Sequence, residues 1–490
     1  MLFYARNRPS PVSATSLANP FFDVAILGSG FSGTLTAIHL LRAGDGVPVS
    51  ARKFRIALVD SSGAFGPGVA YGRGAGEGLL NVGAGSMGAF PEAPGDFLRW
   101  IGERGEAGGG DLSSVFLPRR LYGEYLEDLL RREREAHPDI LETVTGRALD
   151  LVPMPDGTYS VFLNQGRFLY AGKVVLALGN FSPPPPVFGG EGGYQGDPRY
   201  LGQPWRPNTI ERLSEPGDVL ILGSGLTCLD FLAALAKRKI RGRIHVLSRR
   251  GLFPIAHPPI SIPSKNEGPI PAGTLREIVS AVRRKIAGGA YWRDVIDSLR
   301  PQTQALWQGL SVEDRRRFIR HLRPYWETVR HRAPVEVIAL KERLEGEGKL
   351  VCHRGRLSYI EPTEEGLEVV FQRRGTGEAV RLLVGYVVNG TGLAADCLRT
   401  GDALVRSLLD RGLARPDALH FGLDTDAGGQ LRPARGEPRH GIFAIGSLRR
   451  GTLWETTAVR ELRQQAAELA ARLREEEAGE IAPGRLPFDI

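Results

Sequence analysis

The feature that most constrains this chain is a strand–glycine turn–helix unit that occurs twice. The sequence DVAILGSGFSG spans residues 23–33, and DVLILGSGLTC spans residues 218–228. Each copy begins with a continuous apolar run, which predicts a parallel strand buried on both faces. The elements predicted after the two turns are helices over 34–42 and 229–239 and strands over 55–60 and 243–248. Each copy is therefore a βαβ unit of the kind that holds a dinucleotide.

The glycines of the first unit have separate physical roles. Gly28 permits the tight turn, Gly30 lets the backbone approach a pyrophosphate, and Gly33 lets the helix pack closely on the strand. The unpaired N–H groups at the start of the helix favour phosphate. Asp60, which ends the second strand, is placed to accept hydrogen bonds from an adenosine ribose. The residues predicted to bind the first nucleotide are Gly28, Ser29, Gly30, Phe31, Ser32, Gly33, Asp60 and Ser61.

The second unit differs where a ribose would lie. Cys228 replaces the third glycine and is small enough for fairly close packing. Its second strand ends in Ser248, Arg249 and Arg250 instead of an acid. Arginine suits a ribose 2′-phosphate, whereas a carboxylate would repel it, so NADPH is predicted over NADH. The residues predicted to bind NADPH are Gly223, Ser224, Gly225, Leu226, Thr227, Arg249 and Arg250.

Matching parts follow each unit in the same order. Alternating segments predict a β-meander after both units, and each meander ends in a buried strand and a glycine turn. The segments after the first unit are 147–152, 158–163, 167–170 and 173–179, and those after the second are 367–373, 379–383 and 386–392. The predicted fold is therefore α/β, with two Rossmann-like dinucleotide-binding domains.

A third block and two glycine-rich stretches are predicted to hold a flat ring. Residues 441–447 read as a buried strand ending in glycine, and 454–477 as a long helix whose N-terminus faces a reduced flavin. In 63–72 and 79–87 the glycine density is typical of backbone that runs close to a ligand. The residues predicted to contact the flavin from these segments are Tyr71, Asn81, Gly446, Ser447 and Trp454.

Composition narrows the class of protein. A chain of 490 residues exceeds the roughly 250–300 residues of one ordinary core, which predicts two or three domains. No apolar run reaches the ~20 residues of a membrane span, and residues 1–20 read as a disordered lead-in without a signal peptide. Three cysteines without a CxxC pair exclude a dithiol redox centre and predict a cytoplasmic protein. The net charge of +8 does not indicate nucleic acid, and no metal-binding pattern occurs.

The basic charge is concentrated in residues 273–332, which hold thirteen Lys and Arg against six Asp and Glu. This segment is predicted to be a helical insertion, and its charge is either a solvated face or a path for an anionic substrate or cofactor phosphate. One alternative has Arg320, Arg323 or Arg330 meeting a substrate carboxylate. The aromatic residues expected to form a small core of its own are Trp292, Trp307, Phe318, Tyr325 and Trp326.

The chain resembles bacterial FAD/NAD(P)-binding oxidoreductases related to the class B flavin monooxygenases. The motifs that carry the resemblance are DVAILGSGFSGTLTAIHLL, GPGVAYG, LLNVGAGSM, GDFLRW, LPRRLYGEYL, VVLALGN, ILGSGLTCLD, LSRRGLFP, LRPYWETVRHR and FAIGSLRRGTLWETTAVRELRQQA. The resemblance implies a discontinuous FAD-binding domain, with an NAD(P)H-binding domain inserted in it. The predicted boundaries are 21–190 and 385–490 for FAD, 200–384 for NAD(P)H, and 273–333 for the helical insertion.

Some relatives of this kind hydroxylate the nitrogen of amino acids, including nitrosuccinate-forming aspartate oxidases. Two departures occur here. The usual Gly-Asp near the ribityl chain is Gly446-Ser447, and the FxGxxxH stretch of Baeyer–Villiger enzymes is absent, because residues 188–194 contain no histidine. Baeyer–Villiger chemistry is therefore disfavoured.

Three functions remain open from the sequence. The preferred hypothesis is an NADPH-dependent monooxygenase that acts through a C4a-hydroperoxyflavin on a small amine or amino acid. The second is a flavin reductase or dehydrogenase that does not activate oxygen, and the third is a non-catalytic flavin-binding protein. No catalytic acid or base stands out, and the sequence predicts no oligomeric state.

Overall fold

The computed structural model describes most of the chain, and every structural statement refers to those residues. The described ranges are 20–43, 54–72, 78–105, 111–188, 193–206, 209–214, 217–238, 240–258, 268–392, 396–436 and 441–480. The predicted disordered lead-in, apart from Pro20, lies outside them.

Strands and helices alternate in the order expected for βαβ units. The strands are β1 Phe21–Leu27, β2 Ile56–Asp60, β3 Leu141–Thr145, β4 Ala148–Pro153, β5 Tyr159–Leu163, β6 Phe168–Leu176, β7 Tyr200–Leu201, β8 Val219–Leu222, β9 Ile244–Ser248, β10 Leu350–Pro362, β11 Leu367–Arg373, β12 Ala379–Val384, β13 Tyr386–Asn389 and β14 Ile442–Ala444. The helices are α1 Phe31–Arg42, α2 Gly68–Tyr71, α3 Asp96–Glu103, α4 Arg119–Ala136, α5 Leu226–Arg238, α6 Leu275–Ala287, α7 Trp292–Leu299, α8 Thr303–Gly309, α9 Val312–Arg317, α10 Arg323–Arg330, α11 Val335–Gly346, α12 Ala403–Asp410, α13 Arg450–Leu453 and α14 Val459–Glu480.

The first sheet has the strand order β3-β2-β1-β6-β5-β4. Strands β1, β2, β3 and β6 run parallel, and β4, β5 and β6 form the predicted antiparallel meander. One long strand, β6, replaces the separate segments predicted over 167–170 and 173–176. Its first half pairs with β5, and its second half pairs with β14 from the end of the chain. The C-terminal block is thus part of the first sheet.

The second sheet has the order β12-β11-β10-β9-β8-β13-β7. Strand β10 begins parallel to β9 and continues as the first strand of an antiparallel meander with β11 and β12. Strand β13 pairs with β8 and β7, so it belongs to this second sheet. The boundary predicted at residue 385 had assigned β13 to the FAD-binding domain.

The cores lie where the apolar runs predict them. In the first sheet, α1 and α4 pack on one face with α14, around a cluster that contains Ile26, Leu35 and Leu473. The other face packs against α12 through Leu404 and Leu408. Both faces are covered, which is the reason the central strands read as continuous apolar runs.

One prediction about the C-terminal block needs correction. The long helix begins at Val459 rather than at Trp454. Trp454 has φ +63° and ends the short helix α13, which explains why the chain cannot continue there as a regular helix. Thr456 then donates its hydroxyl to the carbonyl of Gly446 at 3.2 Å, and this bond fixes a loop between the glycine turn and α14.

The helical insertion, α6 to α10, was expected to enclose its own small aromatic core. The ring of Phe318 does contact the rings of Trp307 and Trp326 within the insertion, but the cluster extends beyond the insertion. The Trp307 ring lies 4.9 Å and the Phe318 ring 5.1 Å from the ring of Trp454, which belongs to the C-terminal block. Trp307 also donates its indole N–H to the carbonyl of Gly451 at 2.8 Å. Tyr325 is exposed instead of buried. The insertion therefore packs on the unit that carries the first sheet.

We expect Trp454→Ala to loosen the insertion, because it removes a buried ring from this shared cluster. Large-to-small substitutions of this kind cost roughly 3–5 kcal/mol. Limited trypsin digestion, followed by mass spectrometry, should show faster cleavage at the arginines of α6 to α10. Trp292→Ala serves as the control, since Trp292 packs mainly on its neighbour Tyr291. Equal digestion of both variants would contradict the shared cluster.

Candidate active site

The first glycine turn is held too tightly for larger residues. Gly28 has φ +107°, and a β-carbon there would lie 2.2 Å from the carbonyl oxygen of Ala177. A β-carbon at Gly33 would lie 1.9 Å from the carbonyl oxygen of Gly28. Helix α1 begins directly at Phe31, and its N-cap, Gly30, has no side chain to occupy the first N–H groups. These groups are available to a ligand phosphate.

A second glycine loop closes against the first. A β-carbon at Gly68 would lie 2.7 Å from the α-carbon of Gly30, so the two backbones touch. Beside them, Tyr71 packs edge-to-face on Tyr122 at 4.7 Å, and Phe31 lies 6.3 Å from Tyr71. Burial raises the pKa of Tyr71 to about 12, which keeps its hydroxyl neutral. The glycine-rich stretch thus lines the first turn, as predicted.

Asp60 lies at the end of β2, beside the turn. Its carboxylate accepts the backbone N–H of Ser29 at 3.0 Å and the hydroxyl of Ser62 at 2.6 Å. Ser61, which was also predicted to bind the nucleotide, is exposed, whereas Ser62 holds the carboxylate through its backbone N–H and its hydroxyl. This arrangement orients Asp60 at the edge where a ribose is expected.

The C-terminal block meets the first turn through Gly446 and Ser447. Gly446 has φ +77°, and a β-carbon there would lie 3.4 Å from the hydroxyl oxygen of Ser32. Ser447 donates its hydroxyl to the carbonyl of Gly179, in the turn that closes the first meander. The first glycine turn, the turn at Gly179 and the turn at Gly446 therefore lie together. The ring of Trp454 packs instead against Trp307 and Phe318 of the insertion.

The second glycine turn repeats the geometry of the first. Gly223 has φ +98°, and a β-carbon there would lie 2.3 Å from the carbonyl oxygen of Gly390. A β-carbon at Gly225 would meet open space. Where the first unit has a carboxylate, the second has Ser248, whose hydroxyl oxygen lies 2.9 Å from that of Ser224. Leu226 and Thr227 begin α5 beside this turn.

Of the two arginines after β9, Arg250 lies beside the helical insertion. The Arg250 guanidinium lies 6.0 Å from the exposed ring of Tyr325 in α10, and Arg249 is exposed. Neither makes an ion pair with a carboxylate in the described parts of the chain. Both charges are therefore available to an anion.

Asn81 connects the two units through its backbone. Its carbonyl accepts a ring nitrogen of His257 at 2.9 Å, and the His257 ring packs at 5.0 Å on Phe116. Burial lowers the pKa of His257, so this imidazole is neutral near pH 7. The chain between β9 and the insertion thus contacts the stretch predicted to lie beside the flavin.

A buried polar cluster lies where the insertion meets the C-terminal block. We call Arg300, Arg330, Glu455 and Glu461 the junction cluster. Arg300 lies 3.3 Å from Glu461, and Arg330 lies 3.6 Å from Glu455 and 4.0 Å from Glu461. The Arg330 and Glu461 side chains are each 13% exposed. Burial lowers the pKa of Arg330, an effect that Glu455 opposes.

The junction cluster is not internally satisfied. Nε and Nη2 of Arg330 make no hydrogen bond with any described residue, and neither does Oε2 of Glu461. By contrast, Glu455 is fixed by the indole N–H of Trp326 at 2.9 Å. Of the three arginines considered for a substrate carboxylate, Arg323 pairs with Glu327 and Arg320 is exposed. Arg330 alone of these three is buried with free donors.

Comparison with known proteins agrees with this geometry. Residues 25–181 match a family model described as FAD-NAD(P)-binding. Over its whole length the chain resembles the reduced form of ornithine hydroxylase (PvdA) from Pseudomonas aeruginosa, with a TM-score of 0.65, 16% identity, and coverage of 94% of this chain and 100% of that one. The chain has the fold of an FAD- and NAD(P)-binding flavoprotein. The resemblance to FAD/NAD(P)-binding oxidoreductases and the prediction of FAD and NAD(P) cofactors are confirmed.

The chain is also similar to two further proteins. The L-lysine 6-monooxygenase from Pseudomonas syringae has a TM-score of 0.63 at 16% identity, covering 93% of this chain and 99% of that one. Among curated sequences, the uncharacterized protein Rv3403c from Mycobacterium tuberculosis is 25% identical, covering 94% of this chain and 97% of that protein. At these identities the solved structures establish the fold of the flavoprotein.

Some features common to other classes do not occur in the described part of this flavoprotein. None of its helices there is both long and apolar enough to cross a bilayer. In the same ranges, no three His, Cys, Asp or Glu side chains are arranged to hold a metal ion.

An ion pair between the two units of the flavoprotein was not found from the sequence. Arg119 in α4 lies 3.0 Å from Asp230 in α5, and it also donates to the carbonyl of Leu79 at 2.9 Å. Both residues stand in motifs that were quoted, but no local pattern links positions so far apart. Burial raises the pKa of Asp230 to about 6, and Arg119 opposes this rise.

We expect the stability contribution of Asp230 to depend on pH. Because folding raises its pKa, the contribution is full below about pH 4, the ordinary carboxyl range, and is lost as the pH rises through about 6. The melting temperature of Asp230→Asn, relative to the wild type, should therefore increase between pH 4.5 and 7.5. Asp150→Asn is the control. Hydrogen bonding to Arg411 lowers the pKa of Asp150 below the ordinary carboxyl range, so the difference in melting temperature for this variant should stay constant between pH 4.5 and 7.5. A constant difference for Asp230→Asn would contradict the assignment.

Proposed function

We propose that this flavoprotein catalyses the NADPH- and oxygen-dependent N-hydroxylation of a small amino acid. The observation that carries the proposal is the junction cluster, with its unsatisfied arginine and glutamate side by side. The balanced reaction consumes one amine, one O₂, one NADPH and one proton, and yields one hydroxylamine, one water and one NADP⁺.

The unpaired polar atoms of the junction cluster indicate which chemical groups a ligand bound there would carry. A buried donor or acceptor without a partner costs roughly 1–3 kcal/mol, and charged groups cost more. Arg330 offers unused N–H donors, and Glu461 offers an unused carboxylate oxygen. A single molecule that carries both a carboxylate and an ammonium group satisfies both. Amino acids have this property, whereas a quinone or a simple aldehyde does not.

The position of the junction cluster beside the predicted flavin-binding turn also supports an amino-acid substrate. Glu455 directly precedes Thr456, which bonds to the carbonyl of Gly446. Glu461 lies in the first turn of α14, next to Leu462, whose side chain is 3.3 Å from the position of a β-carbon on Gly446. The cluster is therefore anchored on the turn that is predicted to contact FAD.

The residues present fit FAD. Gly28 to Gly33 supply a phosphate-binding turn, Asp60 supplies a ribose acceptor, and Gly446 and Ser447 close the far side. FAD bound there supplies the electron transfer and the reaction with oxygen. The chain's own part is to orient the amine through Arg330 and Glu461 and to exclude water by packing the insertion over the site.

The similar structures support this choice of substrate class. They include the ornithine hydroxylase PvdA, the L-lysine 6-monooxygenase from Pseudomonas syringae and the cadaverine monooxygenase DfoA from Erwinia amylovora. DfoA has a TM-score of 0.63 at 15% identity, covering 96% of this chain and 100% of that one. Two of the three named substrates are amino acids, which agrees with a site built from an arginine and a glutamate.

The test is a coupling measurement. The FAD-loaded protein is incubated with NADPH and each of the common amino acids and diamines, and NADPH loss, hydroxylamine and hydrogen peroxide are quantified. The proposal predicts that an amino acid yields hydroxylamine equimolar with NADPH consumed and little peroxide. Peroxide without hydroxylamine for every amine would favour a reductase, and no NADPH oxidation at all would favour a non-catalytic flavin-binding protein.

A further inference from the structure

We propose that Arg354, on the strand next to β9, forms the 2′-phosphate subsite of NADPH together with Arg249 and Arg250. This inference rests on the proposed use of NADPH and adds a residue that lies about a hundred positions from the predicted site. It also explains why this chain would distinguish NADPH from NADH.

The sheet register places Arg354 beside the predicted ribose position. In the parallel pairing of β9 and β10, Arg354 stands opposite Ser248, the last residue of β9. In dinucleotide-binding units the ribose lies at this carboxyl end of the second strand. Strand β10 continues beyond this edge into its antiparallel meander, so Arg354 is at the point where the strand leaves the parallel sheet.

The loop after β9 lies directly against the Arg354 side chain. Gly251 has φ +65°, and a β-carbon there would lie 2.6 Å from Cγ and 2.8 Å from Nε of Arg354. The loop is fixed, because the Ser248 hydroxyl accepts the Gly251 N–H at 2.9 Å. Ser224, in the glycine turn, donates to the carbonyl of Leu252 at 2.6 Å. Glycine at 251 thus lets the Arg354 side chain lie against the loop that carries Arg249 and Arg250.

The charge environment fits a dianionic group. In the described residues, no carboxylate forms an ion pair with Arg249, Arg250 or Arg354. Arginines elsewhere in the same half of the chain are commonly paired, as Arg332 is with Asp297 at 2.9 Å. At the corresponding position of the first unit stands Asp60, which would repel a phosphate. Three unpaired guanidinium groups around Ser248 favour a phosphate and give no advantage to a plain hydroxyl.

The test compares Arg354→Ser with Arg356→Ser, which removes the same charge two residues along the same strand. Anaerobic flavin reduction is followed at increasing NADPH and NADH, and binding of 2′,5′-ADP is measured by calorimetry. For Arg354→Ser we expect the apparent Kd for NADPH and the Kd for 2′,5′-ADP to rise about tenfold or more. The values for NADH should stay within about twofold.

The other possible results would contradict either the 2′-phosphate subsite or the proposed function. Equal weakening by both variants would overturn the subsite, because it would indicate only the general basic field of the strand. Unchanged NADPH binding in Arg354→Ser, or an equal loss for NADH, would also overturn it. If neither dinucleotide reduces the wild-type flavin, the proposed function fails. The 2′,5′-ADP titration still decides on the subsite, because absent or unchanged binding contradicts it.

Discussion

Gly33→Ala is expected to lower both the FAD content and the stability of the protein. The added β-carbon would lie 1.9 Å from the carbonyl oxygen of Gly28, in backbone that cannot rotate away. Helix α1 must therefore move off the strand, which displaces the N–H groups predicted to hold the pyrophosphate. Overpacking of this kind costs roughly 1–3 kcal/mol, and occasionally more. Flavin absorbance per protein and the melting temperature measure the effect.

Gly102→Ala is the matched control for this prediction. Gly102 also lies in a helix, α3, but a β-carbon there would meet no atom within 4 Å. Alanine in an open helical position should stabilise the protein by roughly 0.5–1 kcal/mol, since glycine loses more backbone entropy on folding. If Gly33→Ala retained full FAD content and the wild-type melting temperature, the tight turn would not be the FAD site.

Arg330→Met is expected to lower kcat/KM for the amino-acid substrate on the order of 100-fold, with little change in flavin reduction by NADPH. Methionine preserves much of the volume but removes the free donors that the substrate carboxylate would use. It also leaves Glu455 and Glu461 with less compensation, so the melting temperature should fall. Steady-state hydroxylamine formation, compared with anaerobic reduction in the same preparation, separates substrate binding from electron transfer.

The control for Arg330 is Arg320→Met, in the same basic insertion. Arg320 is exposed. Its replacement by methionine removes the same charge without changing the junction cluster. We expect its kcat/KM to stay within about twofold of the wild type, since surface charges contribute little. A similar loss in both variants would show that the insertion acts through its overall charge. An unchanged kcat/KM in Arg330→Met would remove this arginine from the substrate site.

The sequence predicted the parts of the fold that local patterns encode. The two glycine turns were identified because Gly28 and Gly223 occupy backbone conformations that other residues disfavour, and such positions leave a direct trace in the sequence. The parallel strands were identified because burial on both faces produces a continuous apolar run. Asp60 and the arginines after β9 were predicted from their place at a strand end.

The features that were missed depend on packing between distant segments. Strand β10 carries Cys352, His353 and Arg354 where it pairs with β9, and the first and last of these are exposed. It therefore lacks the continuous apolar run of its neighbours. Trp454 was placed in a helix because its neighbours are good helix formers, whereas tertiary contacts turn the chain there. The pairs Arg119–Asp230 and Arg330–Glu461 join segments more than a hundred residues apart. The local periodicity of apolar residues gives no information about such long-range contacts.

The anchoring of the insertion restricts how this flavoprotein can move. The insertion leaves the chain from the unit of the second sheet, yet Arg316 donates to the carbonyl of Ala418 at 3.0 Å, and Gln304 donates to that of Glu455 at 2.6 Å. The insertion is therefore connected through the chain to the unit of the second sheet and through hydrogen bonds to the unit of the first sheet. A rotation of one unit against the other, which would bring different cofactors to the flavin in turn, would break these bonds. Flavin reduction and oxygen transfer would then take place in one arrangement of the two units. The ligands would bind and leave without a rotation of the domains.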